Sequence, residues 1–437
     1  VRVLLAGALA VVLGSSTGGA AVLCVDDDNL TGAEDGSAAR PYRTVQAAVL
    51  AAADGDEIRV AAGTYAENVV VDTQALSLQG GYPGGDPAGY AAGQPGDFSA
   101  PDPTAHLTTL QGDGSTAVVR FLRFAPVTGW TTVEGFRITG GTRGIHLDGE
   151  YPSGDFARFV IAHNVVEGNG RHDAGFDHRG GGIAFEGSEI QVVGNLIRGN
   201  SADTGAGVGG SGHALLVHGN TVEDNVGSSD HGGGLWLGGD GTVSGNLVRR
   251  NRIGEMVGYG WGGGLLVVGS WVLRDNVVAD NTAPSLGGGV FVDEGAEAWL
   301  DHELYVGNRT LTEWVKGGAG LYVDGAWDGT HSVAHVRSST FAHNTSPGTN
   351  GGNAVYVESS DVEVVDCVFW GNSGGDDFYL DGASTLTVAY TLSEEAWAGA
   401  GNLSSDPLFA DPAAGDFHLR SSGGRWDPAL GRWVVDS

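Results

Sequence analysis

Between Gly180 and Asn281 one pattern is written four times, and no other feature limits the fold so tightly. Gly180-Gly181-Gly182-Ile183-Ala184-Phe185 leads to Gly194-Asn195-Leu196-Ile197-Arg198-Gly199-Asn200. The second half recurs alone at Gly219-Asn220-Thr221-Val222-Glu223-Asp224-Asn225. Gly232-Gly233-Gly234 leads to Gly245-Asn246 and Asn251, and Gly262-Gly263-Gly264 leads to Asn276 and Asn281. The closing Asn stands at 200, 225, 251 and 281, so each unit spans 25 to 30 residues. A period of this size means stacked supersecondary units.

Within a unit the apolar residues alternate, with Leu235, Leu237, Val243 and Leu247 as candidates for the interior. Period two predicts strands, not helices. One unit cannot bury its apolar face alone, but stacking at strand spacing, about 4.8 Å, builds a continuous core. The Asn pairs 164/169, 195/200, 220/225, 246/251 and 276/281 fit a structural role. Asn tolerates the left-handed backbone of a sharp corner, and its amide can bond to the coil above and below. The closing Asn continues at 308, 344 and 372, while the inner one becomes Glu303, Ser339 and Cys367. No proline lies between Pro152 and Pro284 or between Pro284 and Pro347, as uninterrupted ladders require.

Length alone suggests two or three domains, but a solenoid absorbs 437 residues without splitting. The 77 Gly would suggest disorder were it not for the period, the 41% hydrophobic content and the 11 Trp. The net charge of −31, with Lys316 the sole lysine, argues against nucleic acid as a partner. An anionic polysaccharide could bind only at a local Arg cluster or through a cation such as Ca²⁺. Cys24 and Cys367 sit near opposite ends of the chain, too far apart in a solenoid to form a disulfide.

Val1 to Ala21 is predicted to be a signal peptide: Arg2, an apolar run over Val3 to Leu13, and the small residues Gly19-Ala20-Ala21. Export to the outside or to the cell surface follows, with no transmembrane anchor in the chain and a monomeric state expected. Asp26, Asp27 and Asp28 could coordinate Ca²⁺ or form an acidic loop without an ion. Thr44 is expected to cap a short helix with Val45, Ala48, Val49 and Ala52 on one face. Strands are expected at Glu57–Val60 and Asn68–Val71, joined by Gly63-Thr64-Tyr65. Residues 80–106 form a Gly/Pro-rich loop whose Tyr82, Tyr90 and Phe98 could stack on sugars or pin the loop to the wall.

Pro41-Tyr42-Arg43-Thr44-Val45-Gln46-Ala47-Ala48, followed by Gly55-Asp56-Glu57-Ile58-Arg59-Val60-Ala61-Ala62-Gly63-Thr64-Tyr65, resembles the N-terminal cap of right-handed parallel β-helix proteins of the pectin-lyase-like group. The resemblance runs on through the Gly-Asn repeats. Asp406-Pro407-Leu408-Phe409 with Gly415-Asp416-Phe417-His418-Leu419 resembles the segment near the end of many secreted bacterial members. In those the chain usually continues, so a C-terminal anchor beyond Ser437 is one expectation. The fold implied is all-β: a right-handed parallel β-helix, a single-stranded solenoid with a short N-terminal capping helix. The organisation expected is a signal peptide over 1–21, the cap and first strands over 22–79, a long loop insertion over 80–115, coils over 116–397 and a C-terminal segment over 398–437. The group holds lyases, hydrolases, epimerases and adhesins, so the fold leaves the activity open.

Aligning the repeats on their glycine triplets places Arg179, Thr204, His231 and Trp261 in one column and His178, Asp203, Asp230 and Gly260 in the next. Adjacent coils lie about 5 Å apart. Asp177, His178, Arg179, Asp203, Asp230 and His231 therefore form the candidate catalytic cluster, in which Asp or His would act as acid or base and Arg would hold a carboxylate. Asp203, Asp230 and His231 could instead hold a metal ion. Tyr259, Trp261, Trp314 and Lys316 are the candidate substrate-binding residues. Trp299-Leu300-Asp301-His302 resembles a stretch of pectate lyases, but the Arg-x-Pro-x-x-Arg stretch of that family is absent. Asp376-Asp377 imitates the Asp pair of polygalacturonases without its Gly-His-Gly and Arg-Ile-Lys partners. The expected function is engagement of an extracellular polysaccharide along the solenoid side, with lyase or glycoside hydrolase activity open. The alternative is a non-catalytic adhesin or structural surface protein.

Overall fold

The computed structural model describes residues 20–72, 74–122, 129–148, 158–170, 179–228, 231–254, 260–311, 317–347, 352–427 and 430–436. It is a parallel β-solenoid. A 19-stranded sheet forms two walls, a 12-stranded sheet forms the third, and a short 5-stranded sheet lines the corner after it. Ile183–Val193, Val208–His218, Leu235–Ser244, Leu265–Arg274 and Val290–Asp301 each run along the first wall, bend, and continue along the second. The bend requires a left-handed residue, as at Gly239 (φ 99°) and Gly269 (φ 105°).

The register is the one the repeats demand. Val208, Leu235, Leu265 and Val290 pair in succession, and the ladder continues through Leu321, Val355 and Phe378. All of them are buried. Their side chains form one column of a core that extends from Val25 to Val388. On the third wall Tyr305, Phe341 and Phe369 stack inside the coil at centroid separations of 4.5 and 4.6 Å.

The Asn columns are hydrogen-bonded ladders. Asn200 donates from its backbone N–H (3.0 Å) and its side-chain amide (3.1 Å) to Oδ1 of Asn225, and Asn225 does the same to Asn251 (3.1 and 2.9 Å). Each amide also donates to a carbonyl of the preceding coil, as Asn225 does to Ile197 O (3.0 Å). The inner column runs from Asn164 through Asn276 to Glu303. The left-handed backbone belongs to a neighbour: Gly194, Gly219, Gly245 and Asp275 have φ between 57° and 64°, and no described Asn has a positive φ. The expectation that Asn itself turns the corner is corrected accordingly; Asn supplies the ladder and the residue before it supplies the turn. That turn also resets the alternation. Val248, not Leu247, faces the core.

The glycine triplets are packing requirements. Gly232 has φ 62°, and a Cβ at Gly233 would lie 2.4 Å from the Gly263 carbonyl oxygen one coil away. At the N-terminal end helix α1 (Val45–Ala51), capped by Thr44 accepting from Ala47 N, buries Val45, Ala48 and Val49 over the first coil. The expected joining segment is itself a strand, Gly63–Ala66, paired with Thr108–Gln111. Thr108–Gln111 gives the insertion of 80–115 a wall strand of its own. Helix α2 (Pro87–Ala91) lies in the loop, where Tyr82, Tyr90 and Phe98 are all buried. Of the two readings of these aromatics, pinning to the wall is the one observed. Cys24 and Cys367 are buried free thiols, raised by burial to about 11 and about 12. No described helix is long and apolar enough to cross a membrane. The signal-peptide expectation falls on residues of which 1–19 lie outside the described ones.

Candidate functional site

The wall strands carry more than core. In Val290-Phe291-Val292-Asp293, Leu321-Tyr322-Val323-Asp324 and Val355-Tyr356-Val357-Glu358, the first and third residues face inward. Period two therefore turns the second and fourth outward. The second residues build a row up the outside of the first wall. Phe291 and Tyr322 stack at 5.1 Å, Tyr322 and Tyr356 at 4.9 Å, and Tyr356 and Tyr379 at 4.5 Å. Leu266, Leu286 and Trp261 pack with this row as a second apolar layer. The fourth residues put Asp293, Asp324 and Glu358 on successive coils, directly after the pairs Val292–Val323 and Val323–Val357.

A groove of about 410 Å³ runs over this row. Its walls include His231, Trp261, Phe291, Asp293, Asp324 and Trp327, with Glu294 and Glu358 also reaching it. Ligand pockets commonly fall in the range of about 300–1,000 Å³. One flank is the turn Gly325 to Thr330, closed by Ala326 N donating to Thr330 O (2.7 Å), and its indole Trp327 is fully exposed. The other flank carries His231 and Trp261, whose rings meet edge-on at 4.7 Å. Trp261 in turn stacks on Phe291 at 5.9 Å.

Burial raises the Asp293 carboxyl to about 7; the N–H of Glu294, at 2.7 Å, opposes this, while the nearby charges of Asp324 and Glu294 add to it. Near neutral pH, Asp293 therefore divides between acid and carboxylate. Glu358 accepts from the Tyr322 hydroxyl, so the aromatic row and the acidic row are joined.

The column foreseen from the glycine triplets exists. Arg179 bridges Thr204, Gly205 N donates to His231 O (3.2 Å), and His231 bridges Trp261. Its side chains divide between different tasks, however. The Arg179 guanidinium lies 4.2 Å from the Trp236 ring centroid, and Asp203 accepts from Ser228 Oγ at 2.6 Å. Of the sequence-derived candidates, His231 and Trp261 line the groove. Asp177, His178, Asp230, Tyr259, Trp314 and Lys316 lie outside the described residues. The 80–106 loop does not flank the groove; it packs on the first coil, where Arg59 Nη1 donates to Phe98 O (2.8 Å).

Asp26 is buried, and its carboxylate accepts from Gly85 N (2.8 Å), Tyr90 Oη (2.6 Å) and Asp28 N (3.0 Å). It latches the loop. Among the described residues no group of three or more His, Cys, Asp or Glu is arranged to hold a metal ion, those at 26–28 included. Asp377 does not form a surface acid pair with Asp376 either. It is buried at the end of the solenoid, where burial raises its carboxyl to about 7 while Asn372 donates to it.

Residues 127–303 match the family model described as the right-handed beta helix region. The protein is thus a right-handed parallel β-helix repeat protein, consistent with the pectin-lyase-like group named above. No curated protein and no solved structure matches the chain.

Proposed function

We propose that this is an exported or cell-surface β-helix protein that binds a polysaccharide in the groove on its first wall. One observation carries the reading: Trp327 and Trp261 line the same groove as the outward carboxylates of successive coils. Indole faces stack on the apolar faces of sugar rings, and carboxylates accept from their hydroxyls. A groove that crosses successive coils suits a polymer, because the three coils at Asp293, Asp324 and Glu358 offer the same two positions in turn. The test is a glycan panel probed with the wild-type protein and with Trp327→Ala. Loss of binding in the variant, with unchanged circular dichroism, supports the reading; equal binding by both sinks it.

A second reading is favoured by the raised Asp293 carboxyl beside Asp324. Strand spacing, about 4.8 Å, falls near the separation of about 5–5.5 Å between paired carboxyls in retaining glycosidases. In this reading, protonated Asp293 gives its proton to the glycosidic oxygen as the C1–O bond breaks. The Asp324 carboxylate adds to C1, and water later displaces it with Asp293 as base. Asp293→Asn and Asp324→Asn should each abolish release of reducing ends while glycan binding persists. Undiminished release would assign any activity elsewhere.

A further inference from the structure

We infer that the groove selects by charge: it takes a polysaccharide bearing free amino groups and rejects uronate chains. The inference rests on the glycan-binding reading above and narrows its substrate class. Among the described residues, the lining holds four acids, Asp293, Glu294, Asp324 and Glu358, against one basic side chain, His231, and no Arg or Lys. At the mildly acidic pH where a sugar amine is charged, Asp293 is in its acid form, so the carboxylates of Glu294, Asp324 and Glu358 form the charge-assisted hydrogen bonds with the ammonium group, and indole faces such as those of Trp261 and Trp327 also attract cations. A uronate is repelled by the carboxylates of Glu294, Asp324 and Glu358, which outnumber the one basic side chain of the lining.

The arginines of the third-wall strands do not offer a ready alternative site. On the third wall Glu167 pairs with Arg137 (2.6 Å) and Arg198 (2.6 Å), and Glu223 pairs with Arg249 (2.7 Å) and Arg250 (2.9 Å). Asp224 takes a second contact from Arg250 at 2.8 Å. A uronate arriving there would have to displace a carboxylate already in place. The Arg179 guanidinium is stacked on Trp236. The net charge of −31 adds a long-range field that draws polycations in and holds polyanions off.

The test is equilibrium binding of three hexamers to the full chain: β-linked glucosamine, its N-acetylated counterpart, and galacturonate. The pH is mildly acidic, so that the sugar amine is charged, and each titration is run at low and at high salt. The glucosamine hexamer should bind at least about tenfold tighter than the N-acetylated one, with the gap shrinking in high salt. Galacturonate should not bind. Glu358→Gln should narrow the gap, and Trp327→Ala should weaken glucosamine binding. Equal affinity for the first two hexamers, a preference that ignores salt, or preferred binding of galacturonate would overturn the charge selection. If such binding still depends on Trp327, the glycan-binding groove survives. If no hexamer binds, the selection falls, and a wider panel without any Trp327-dependent ligand takes the groove reading down with it.

Discussion

Asn276 donates both its backbone N–H (3.0 Å) and its side-chain amide (2.8 Å) to Oε1 of Glu303, which occupies the position an Asn holds in the coils before it. The carboxyl is fully buried, with the Tyr305 hydroxyl against its other oxygen at 3.3 Å. Burial raises it to about 8, against the donors of Asn276 and Tyr305. A carboxyl whose pKa is higher in the folded chain than in the unfolded one favours folding while protonated. That contribution is complete below the unfolded value, about 4.3, and is lost as pH rises through about 8. The thermal midpoint should therefore fall between acidic and mildly alkaline pH. In Glu303→Gln the fall should shrink, and the variant should gain on the wild type at the alkaline end by an amount on the order of a few kcal/mol. Parallel pH profiles of the two proteins would show that this carboxyl is not the titrating group. Asp377, raised to about 7, adds a share that Asp377→Asn should remove independently.

Asn225 lies in the middle of the closing ladder with no exposed surface. Replacing it with Ala deletes four hydrogen bonds, to Ile197 O, to Asn251 Oδ1, and from the N–H and amide of Asn200. Two buried donors of Asn200 lose their acceptor. The expected cost is about 3 kcal/mol or more by chemical denaturation. Asn372→Ala, at the half-buried end of the ladder, should cost less, because water can replace the lost partners. A reversed order would contradict the ladder account.

The Asp26 carboxylate holds the 80–106 loop through Tyr90 and Gly85. Asp26→Ala should leave the coils intact yet speed cleavage of that loop by a broad-specificity protease at least about tenfold, as expected when local opening becomes easier. Tyr90→Phe should have a smaller effect, since Gly85 and Asp28 keep their acceptor. Unchanged cleavage would mean that the buried aromatics Tyr82 and Phe98 alone fix the loop.

If the groove hydrolyses glycan, the raised Asp293 carboxyl sets the alkaline limb of the rate. The acid form is lost above about 7, so turnover should decline through that pH. Glu294→Gln removes one neighbouring negative charge and should shift the limb to lower pH. A limb that stays in place would assign it to another group.

The solenoid was legible because its period is written in the residues themselves. Gly232-Gly233-Gly234 and Asn251 announce a corner and a ladder wherever they recur. The groove was less legible because alignment on the glycine triplets directs attention to the residues before them. The outward acids and aromatics come on the strands after the corner, in the same places on three successive coils: Phe291 and Asp293, Tyr322 and Asp324, Tyr356 and Glu358. Period two was enough to send them all outward. The Trp327 turn had a signal too. Asn308 and Asn344 stand 36 residues apart, a longer step than the earlier ones, and the extra length contains the turn Gly325 to Thr330. What sequence could not supply was the depth of burial that separates Asp293 from an ordinary surface acid. Nor could it show that Asp26 is spent on Tyr90, a contact 64 residues away.

Oxidative footprinting of the tryptophans, with and without a bound oligosaccharide, tests the groove most directly. Trp327 and Trp261 should be protected by the glycan, while Trp426 and Trp433 on the C-terminal hairpin oxidise at an unchanged rate. Protection at Trp426 and Trp433 with Trp327 still fully reactive would place the glycan elsewhere and contradict the account.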